Sequence, residues 1–235
     1  MKFFPITVVD DIFEHVEDVL DIAKNISYQP KGYNNFPGQI SGDIKDRYPD
    51  LSDWIVRRII SLFWDIKNVD LREHISVDFQ KIEPFEDRDD ILNKGLIHYD
   101  EAIAAAVVYL NKTPEKDTGT SLYKIKRENA FYGIGSEEYQ RYRDACIRYH
   151  GGWEIEDLDK MIENHRSNFN ETARVQPLQN RMIFYSGDIW HTQTFYGVEP
   201  RYTLRVFISS LEVTYRDEII SDPSRKIPYP ILRPF

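Results

Sequence analysis

Residues 181–211 read RMIFYSGDIWHTQTFYGVEPRYTLRVFISSL, and this stretch decides the fold. Arg181-Met182-Ile183-Phe184-Tyr185 is a β-type run, Ser186-Gly187-Asp188 supplies a turn, and Ile189-Trp190-His191-Thr192 starts a second strand. After a further turn at Gly197-Val198-Glu199-Pro200, the chain from Arg201 to Leu211 alternates with period two. Tyr202, Leu204, Val206, Ile208 and Ser210 share one face, which is mostly apolar and suits packing under helices or between sheets. Arg201, Thr203, Arg205, Phe207 and Ser209 share the other. A buried arginine without an anion is expensive, so this second face is expected to look into a cavity that holds one.

Upstream, a second stretch has the same texture. Lys94-Gly95-Leu96-Ile97 reads as a strand edge and leads into His98-Tyr99-Asp100. The run Ala102 to Leu110 follows; its end, Val107-Val108-Tyr109, is strand-like, and Asn111-Lys112-Thr113-Pro114 stops it. On a strand, His98 and Asp100 project from the same face and can converge on one ion. With His191 they make two imidazoles and one carboxylate, the ligand set of a mononuclear non-heme iron site with open positions. Each residue also has an ordinary alternative. His191 suits a hydrogen-bonded core histidine, Asp100 a turn cap, and Arg201 a surface strand position after Pro200. Their order and spacing together favour the metal site.

That order, His-Tyr-Asp, then Gly-Asp-Ile-Trp-His-Thr, then Gly-Val-Glu-Pro-Arg-Tyr-Thr, resembles the 2-oxoglutarate- and Fe(II)-dependent dioxygenases. The spacing of Arg201 after His191 resembles the prolyl-hydroxylase-like branch, and Arg201-x-Thr203 is similar to the R-x-S pattern of other branches. The likeness covers roughly residues 76–123 and 175–213. It implies a mostly β fold with flanking helices (α+β), built on a double-stranded β-helix (jelly-roll) core. It implies Fe(II) held by His98, Asp100 and His191, with 2-oxoglutarate and O2 as cosubstrates. The distal carboxylate of 2-oxoglutarate would meet Arg201, Thr203 would add a hydroxyl, and Arg205 would reach its other carboxylate or a substrate anion. Tyr109 and Tyr123 are further candidate donors. Hydroxylation of an amino-acid, peptide or small-molecule C–H, with release of succinate and CO2, is the implied outcome. The alternatives are a noncatalytic jelly-roll binding protein and a cupin-like metalloenzyme that does not use 2-oxoglutarate.

Composition agrees with one enzyme domain of 235 residues, 41% hydrophobic and 14% aromatic. The formal charge of −9 argues against nonspecific binding to a phosphate backbone. The single cysteine, Cys146, excludes an internal disulfide and fits a reducing compartment. No leader-like or membrane-spanning apolar stretch is present, so a cytoplasmic location without membrane contact is expected. Oligomeric state is not legible.

Residues 1–75 are expected to form supporting elements: a short strand at 6–9, a helix from Asp10-Asp11 with Ile12, Val16, Val19, Leu20 and Ala23 on one stripe, and a helix near Leu51 to Trp64. Residues 124–174 interrupt the β pattern. Ser136 is placed to cap one helix, with Tyr139, Tyr142, Ala145, Cys146 and Tyr149 along a stripe, and a second helix is predicted near Glu156 to Phe169. This insertion is read as a lid over the barrel mouth, the alternative being a helical pair on its flank. Lys124, Lys126, Arg127 and Arg141 would either meet an acidic substrate or lie on a solvated face. Residues 214–235 form a proline-rich tail.

Overall fold

The structure is a computed structural model, and it describes residues 6–29, 38–67, 69–85, 93, 95–133, 135–150 and 154–215. In chain order it runs β1 (Thr7–Val9), α1 (Val16–Asn25), β2 (Gln39–Ile40), α2 (Pro49–Ile60), β3 (Val69–Ile82), β4 (Ala104–Tyr109) and β5 (Thr120–Ile125). Then come α3 (Glu137–His150), α4 (Leu158–Ser167), β6 (Phe169–Val175), β7 (Met182–Ser186), β8 (Trp190–Gln193) and β9 (Arg201–Tyr215).

The strands form a large sheet of order β1-β7-β4-β9-β3-β2 and a small sheet of order β6-β5-β8. His98 adds an antiparallel bridge to His191, which extends the small sheet past β8. From β3 onward the chain passes from the large sheet to His98 in the small one, back to β4, across to β5 and β6, and then through β7, β8 and β9 in alternation. That winding is a double-stranded β-helix, so the mostly β architecture with flanking helices is what the chain adopts.

Alternation along each strand assigns three layers. On the large sheet Phe79, Ala106, Val108, Phe184, Leu204 and Val206 point outward and pack on Val19, Leu20 and Ala23 of α1 and Ile55, Val56 and Ile59 of α2. Truncating one of these fully buried side chains, such as Ile55, is expected to cost about 2–5 kcal/mol. The inward set is Ala105, Tyr109, Leu122, Ile183 and Tyr185, and it lines the barrel. The third layer lies outside the small sheet. There Tyr99, Tyr123, Trp190 and Phe169 pack on Tyr139, Tyr142 and Cys146 of α3 and Leu158 and Ile162 of α4.

Several boundaries differ from expectation. Helix α1 starts at Val16 and not at Asp10, because Asn180 ties down the backbone that precedes it. The Asn180 side chain accepts from the Phe13 N–H and donates to the Phe13 carbonyl, which takes that backbone out of helical bonding. Strand β3 begins at Val69, inside the region assigned to supporting helices, and Phe169 opens β6 and does not close a helix. The Ser136 cap is present, its hydroxyl accepting from the Tyr139 N–H at 3.2 Å. Helices α3 and α4 pack on the outer face of the small sheet, because the outward parity of Tyr99, Tyr123 and Trp190 gives that face an aromatic surface to bury. Lys124, Arg127 and Arg141 are exposed, Arg141 pairing with Glu137 within its own helix, which is the solvated-face alternative. The proline-rich tail from 216 onward lies outside the described residues. No described helix is long and apolar enough to cross a membrane.

Candidate metal and anion site

Inside the barrel, His98 and His191 face each other across their backbone bridge. The His98 N–H donates to the His191 carbonyl at 2.9 Å, and the His191 N–H donates back at 2.7 Å. Asp100 is fixed two residues on, its N–H donating to the Gly187 carbonyl at 2.9 Å. Gly187 is required there, since a Cβ would collide with the Ala102 carbonyl oxygen. The imidazole ring centres stand 4.4 Å apart. Asp100 Oδ1 lies 3.8 Å from His98 Nε2, and Oδ2 lies 3.5 Å from His191 Nε2. Among the described residues these three form the one such group, with ligand atoms all within 4.8 Å of one another.

Hydrogen bonding sets the tautomers. His98 Nδ1 donates to the Leu96 carbonyl at 2.7 Å, and His191 Nδ1 donates to the Ile189 carbonyl at 2.8 Å. Each Nε2 is then an unprotonated acceptor turned toward the carboxylate, the form in which imidazole binds a metal. Burial pushes His191 down to about 4, against the pull of Asp100, so the ring is neutral at physiological pH. Asp100 Oδ2 is buried with no hydrogen-bond partner among the described residues. Two acceptor nitrogens and an unpaired carboxylate oxygen facing one point are a poor arrangement for a finished core and a fitting one for a cation. His98 is 43% exposed at its side chain, against 6% for His191, so the site opens on the His98 side.

The large sheet builds the rest of the cavity in rows. Register places Tyr185, Ala105, Phe207 and Ser76 side by side; deeper come Ile183, Val107, Arg205 and Asp78, then Tyr109, Thr203 and Gln80. Tyr185 lies beside the His98-Asp100-His191 cluster, its ring 4.6 Å from that of His191. Its hydroxyl also feels the charges of Asp100, Arg205 and Arg201. Arg201 sits at the deep end, 6% exposed, its guanidinium 5.5 Å from the centre of the Tyr109 ring. Burial lowers its pKa from the usual arginine value, and neither Nη1 nor Nη2 has a partner among the described residues. The Thr203 hydroxyl, on the same face, is buried and unpartnered as well. Tyr109 turns its hydroxyl to Thr120 at 2.7 Å.

The expected residues therefore divide. His98, Asp100 and His191 come together, and Arg201, Thr203 and Tyr109 gather deeper in the same barrel. Arg205 faces inward as expected but is committed to Asp78, its Nε donating at 2.8 Å and its Nη2 lying 2.7 Å from the same oxygen. Tyr123 is not brought to the site: Leu122 takes the inward parity on β5, and Tyr123 packs outward against Phe169. Sequence reasoning missed Tyr185, Thr120 and Asp78. For Asp78 a signal existed, an acid at the phase opposite Val77 and Phe79. The continuously apolar β7 offered none for Tyr185.

The solved structure of a prolyl hydroxylase from Trichoplax adhaerens, in complex with a hypoxia inducible factor oxygen degradation domain peptide fragment, matches with TM-score 0.50 and 9% identity, over 92% of this chain and 87% of that one. HygX from Streptomyces hygroscopicus, with nickel and 2-oxoglutarate bound, matches with TM-score 0.49 and 12% identity over 86% and 82%. A Pseudomonas putida prolyl-4-hydroxylase matches with TM-score 0.44 and 14% identity over 87% and 91%. No curated protein matches the sequence. The chain belongs to the Family of unknown function (DUF6445), which matches residues 3–196.

Proposed function

We propose that this protein is an Fe(II)- and 2-oxoglutarate-dependent oxygenase that hydroxylates a C–H bond of an amino acid, a peptide or another small molecule. The observation that carries the reading is the buried Arg201 guanidinium, whose Nη1 and Nη2 have no partner among the described residues, beside the equally unpartnered Thr203 hydroxyl, in the barrel that holds the His98-Asp100-His191 cluster. A desolvated cation left unpaired is a large cost in a folded core, and a bidentate carboxylate is its natural complement. A noncatalytic jelly roll or a metalloenzyme without an anionic cosubstrate gives no reason for it.

His98, Asp100 and His191 would hold the metal on one face. Fe(II) bound there would activate O2 while 2-oxoglutarate is converted to succinate and CO2. Arg201 and Thr203 would take the distal carboxylate of the cosubstrate and fix its direction along the barrel. Tyr109, held by Thr120, would wall that pocket, and Tyr185, beside His191, would exclude water between the two ends. Asp78 neutralises Arg205, so Arg201 is left as the stronger anion anchor. The exposed side of His98 is where a substrate would approach, and the Trichoplax neighbour, whose structure holds a peptide, supports a substrate of peptide or small-molecule size.

The test is aerobic incubation of the Fe(II)-supplemented protein with 2-oxoglutarate, with succinate followed by NMR. Slow succinate formation without added substrate, lost in His191→Ala, is the expected result. Absence of succinate, together with no displacement of 2-oxoglutarate signals by the protein, would contradict the reading.

A further inference from the structure

We propose that His165 and Arg166 of α4 are positioning residues for the ligand His98, standing where the metal-bearing segment has no neighbouring strand among the described residues. The inference rests on the metal centre proposed above and deepens it by giving the helical insertion a task at that centre.

The segment 95–100 is the outermost member of the small sheet, because the sheet runs β6-β5-β8 and ends in the His98 bridge. One side of it is held by β8 and the Gly187 turn, through the N–H groups of His98 and Asp100 and the His98 carbonyl. Its other side is an edge among the described residues, and edge backbone without partners frays and pairs wrongly. Two consecutive residues of α4 supply the partners. His165 Nε2 donates to the Ile97 carbonyl at 2.8 Å, and Arg166 Nη1 donates to the Gly95 carbonyl at 2.7 Å. Between them the Leu96 carbonyl accepts from His98 Nδ1. Three successive carbonyls before the ligand, at Gly95, Leu96 and Ile97, are thus each engaged by a side chain, and one of those side chains is the ligand itself.

The clamp is itself fixed. His165 is 1% exposed, and its Nδ1 accepts from the Tyr132 hydroxyl at 2.6 Å, so Nε2 carries the proton that Ile97 receives. Tyr142 of α3 stacks on the imidazole with ring centres 3.7 Å apart and planes within 9° of parallel. On the other side, Gly95 adopts φ +67 and lies so close to β8 that a Cβ would collide with the Thr192 hydroxyl. A segment pressed between β8 and α4 leaves the His98 backbone little freedom. Groups that orient a metal ligand commonly change metal affinity about 10–100-fold when removed.

The test compares Mn(II) affinity, read from the EPR signal of free Mn(II), and the Co(II) visible absorption band in native protein and in His165→Leu, His165→Gln, Arg166→Met and Arg166→Lys. Metal-free melting curves report folding. Arg166→Met is expected to weaken Mn(II) binding about tenfold and to change the Co(II) band while melting near the native temperature, with Arg166→Lys recovering most of the loss. His165→Leu is expected to weaken binding further, and His165→Gln, which keeps an amide donor for Ile97, to fall between. If His165→Leu does not fold, the arginine pair alone decides. Native affinity and an unchanged Co(II) band in folded Arg166→Met would overturn the proposal. Native protein that binds neither ion would remove the metal centre itself, and the proposal with it.

Discussion

The two faces of the small sheet each bury a histidine, and they treat it differently. On the outer face, His165 lies among Tyr132, Tyr139, Tyr142 and Phe169 with both ring nitrogens bonded to protein groups. On the inner face, His191 has Nδ1 bonded to Ile189 but turns Nε2 toward a carboxylate oxygen that has no hydrogen-bond partner among the described residues. Burial depresses both, His165 to about 3 and His191 to about 4, so neither pKa tells structural from functional. What separates them is the charge left open beside each ring. Both nitrogens of His165 are bonded, and the unpartnered group next to it is a neutral phenol, the Tyr142 hydroxyl; inside the barrel, among the described residues, Asp100 Oδ2 and the two Arg201 Nη atoms stay open beside the Thr203 hydroxyl, and those are the places a ligand would complete.

The contrast can be attacked at both ends. The largest effect is expected from the open carboxylate at its centre: Asp100→Ala should lower metal affinity by more than the roughly 100-fold associated with orienting partners, as measured by Mn(II) titration. Next, Arg201→Met should reduce 2-oxoglutarate affinity about 100-fold or more by calorimetry, while the metal-free protein melts at the native temperature or above it. An unpaired buried cation costs stability, and removing it returns that cost. The reverse holds for the closed pair that joins β3 to β9. Asp78→Asn strands Arg205 and should destabilise by about 3 kcal/mol in denaturant, with Arg205→Met on that background restoring part of the loss.

Acid sensitivity sharpens the comparison further. Both histidines are depressed in the fold, so below the ordinary value near 6.5 the unfolded chain binds protons that the native state refuses. Stability is therefore full above pH 6.5 and falls as the pH drops toward 3–4, by about 1.4 kcal/mol per pH unit for each ring. His165→Gln should flatten that slope by one histidine's share in metal-free protein. The smallest effect belongs to Tyr123→Phe. Because Tyr123 faces away from the barrel, 2-oxoglutarate affinity should stay within about twofold of native by calorimetry.

Much of the interior was legible because period-two alternation on β9 places Arg201, Thr203 and Arg205 on one face without any tertiary information. The same rule applied to His98 and Asp100. Distinguishing the two arginines was not possible from the strand alone, since Asp78, the partner of Arg205, lies 127 positions away in the chain and meets it only through the β3–β9 register. The surface on which the insertion packs was not legible for a related reason. Its helices were correct in kind, but the surface they cover is set by the outward parity of Tyr99, Tyr123 and Trp190, three residues on three different segments of the small sheet. Tyr185 went unseen because every residue of β7 is buried and no polar phase marks which side faces the cavity.

The most direct test of the central claim is anaerobic titration of the Fe(II)-loaded protein with 2-oxoglutarate, watched for the visible metal-to-ligand charge-transfer band. A saturable band in the native protein, abolished by His98→Ala and requiring far more 2-oxoglutarate in Arg201→Met, is the predicted result. Fe(II) that binds without any band would contradict the claim that the open metal cluster and the open guanidinium serve one cosubstrate.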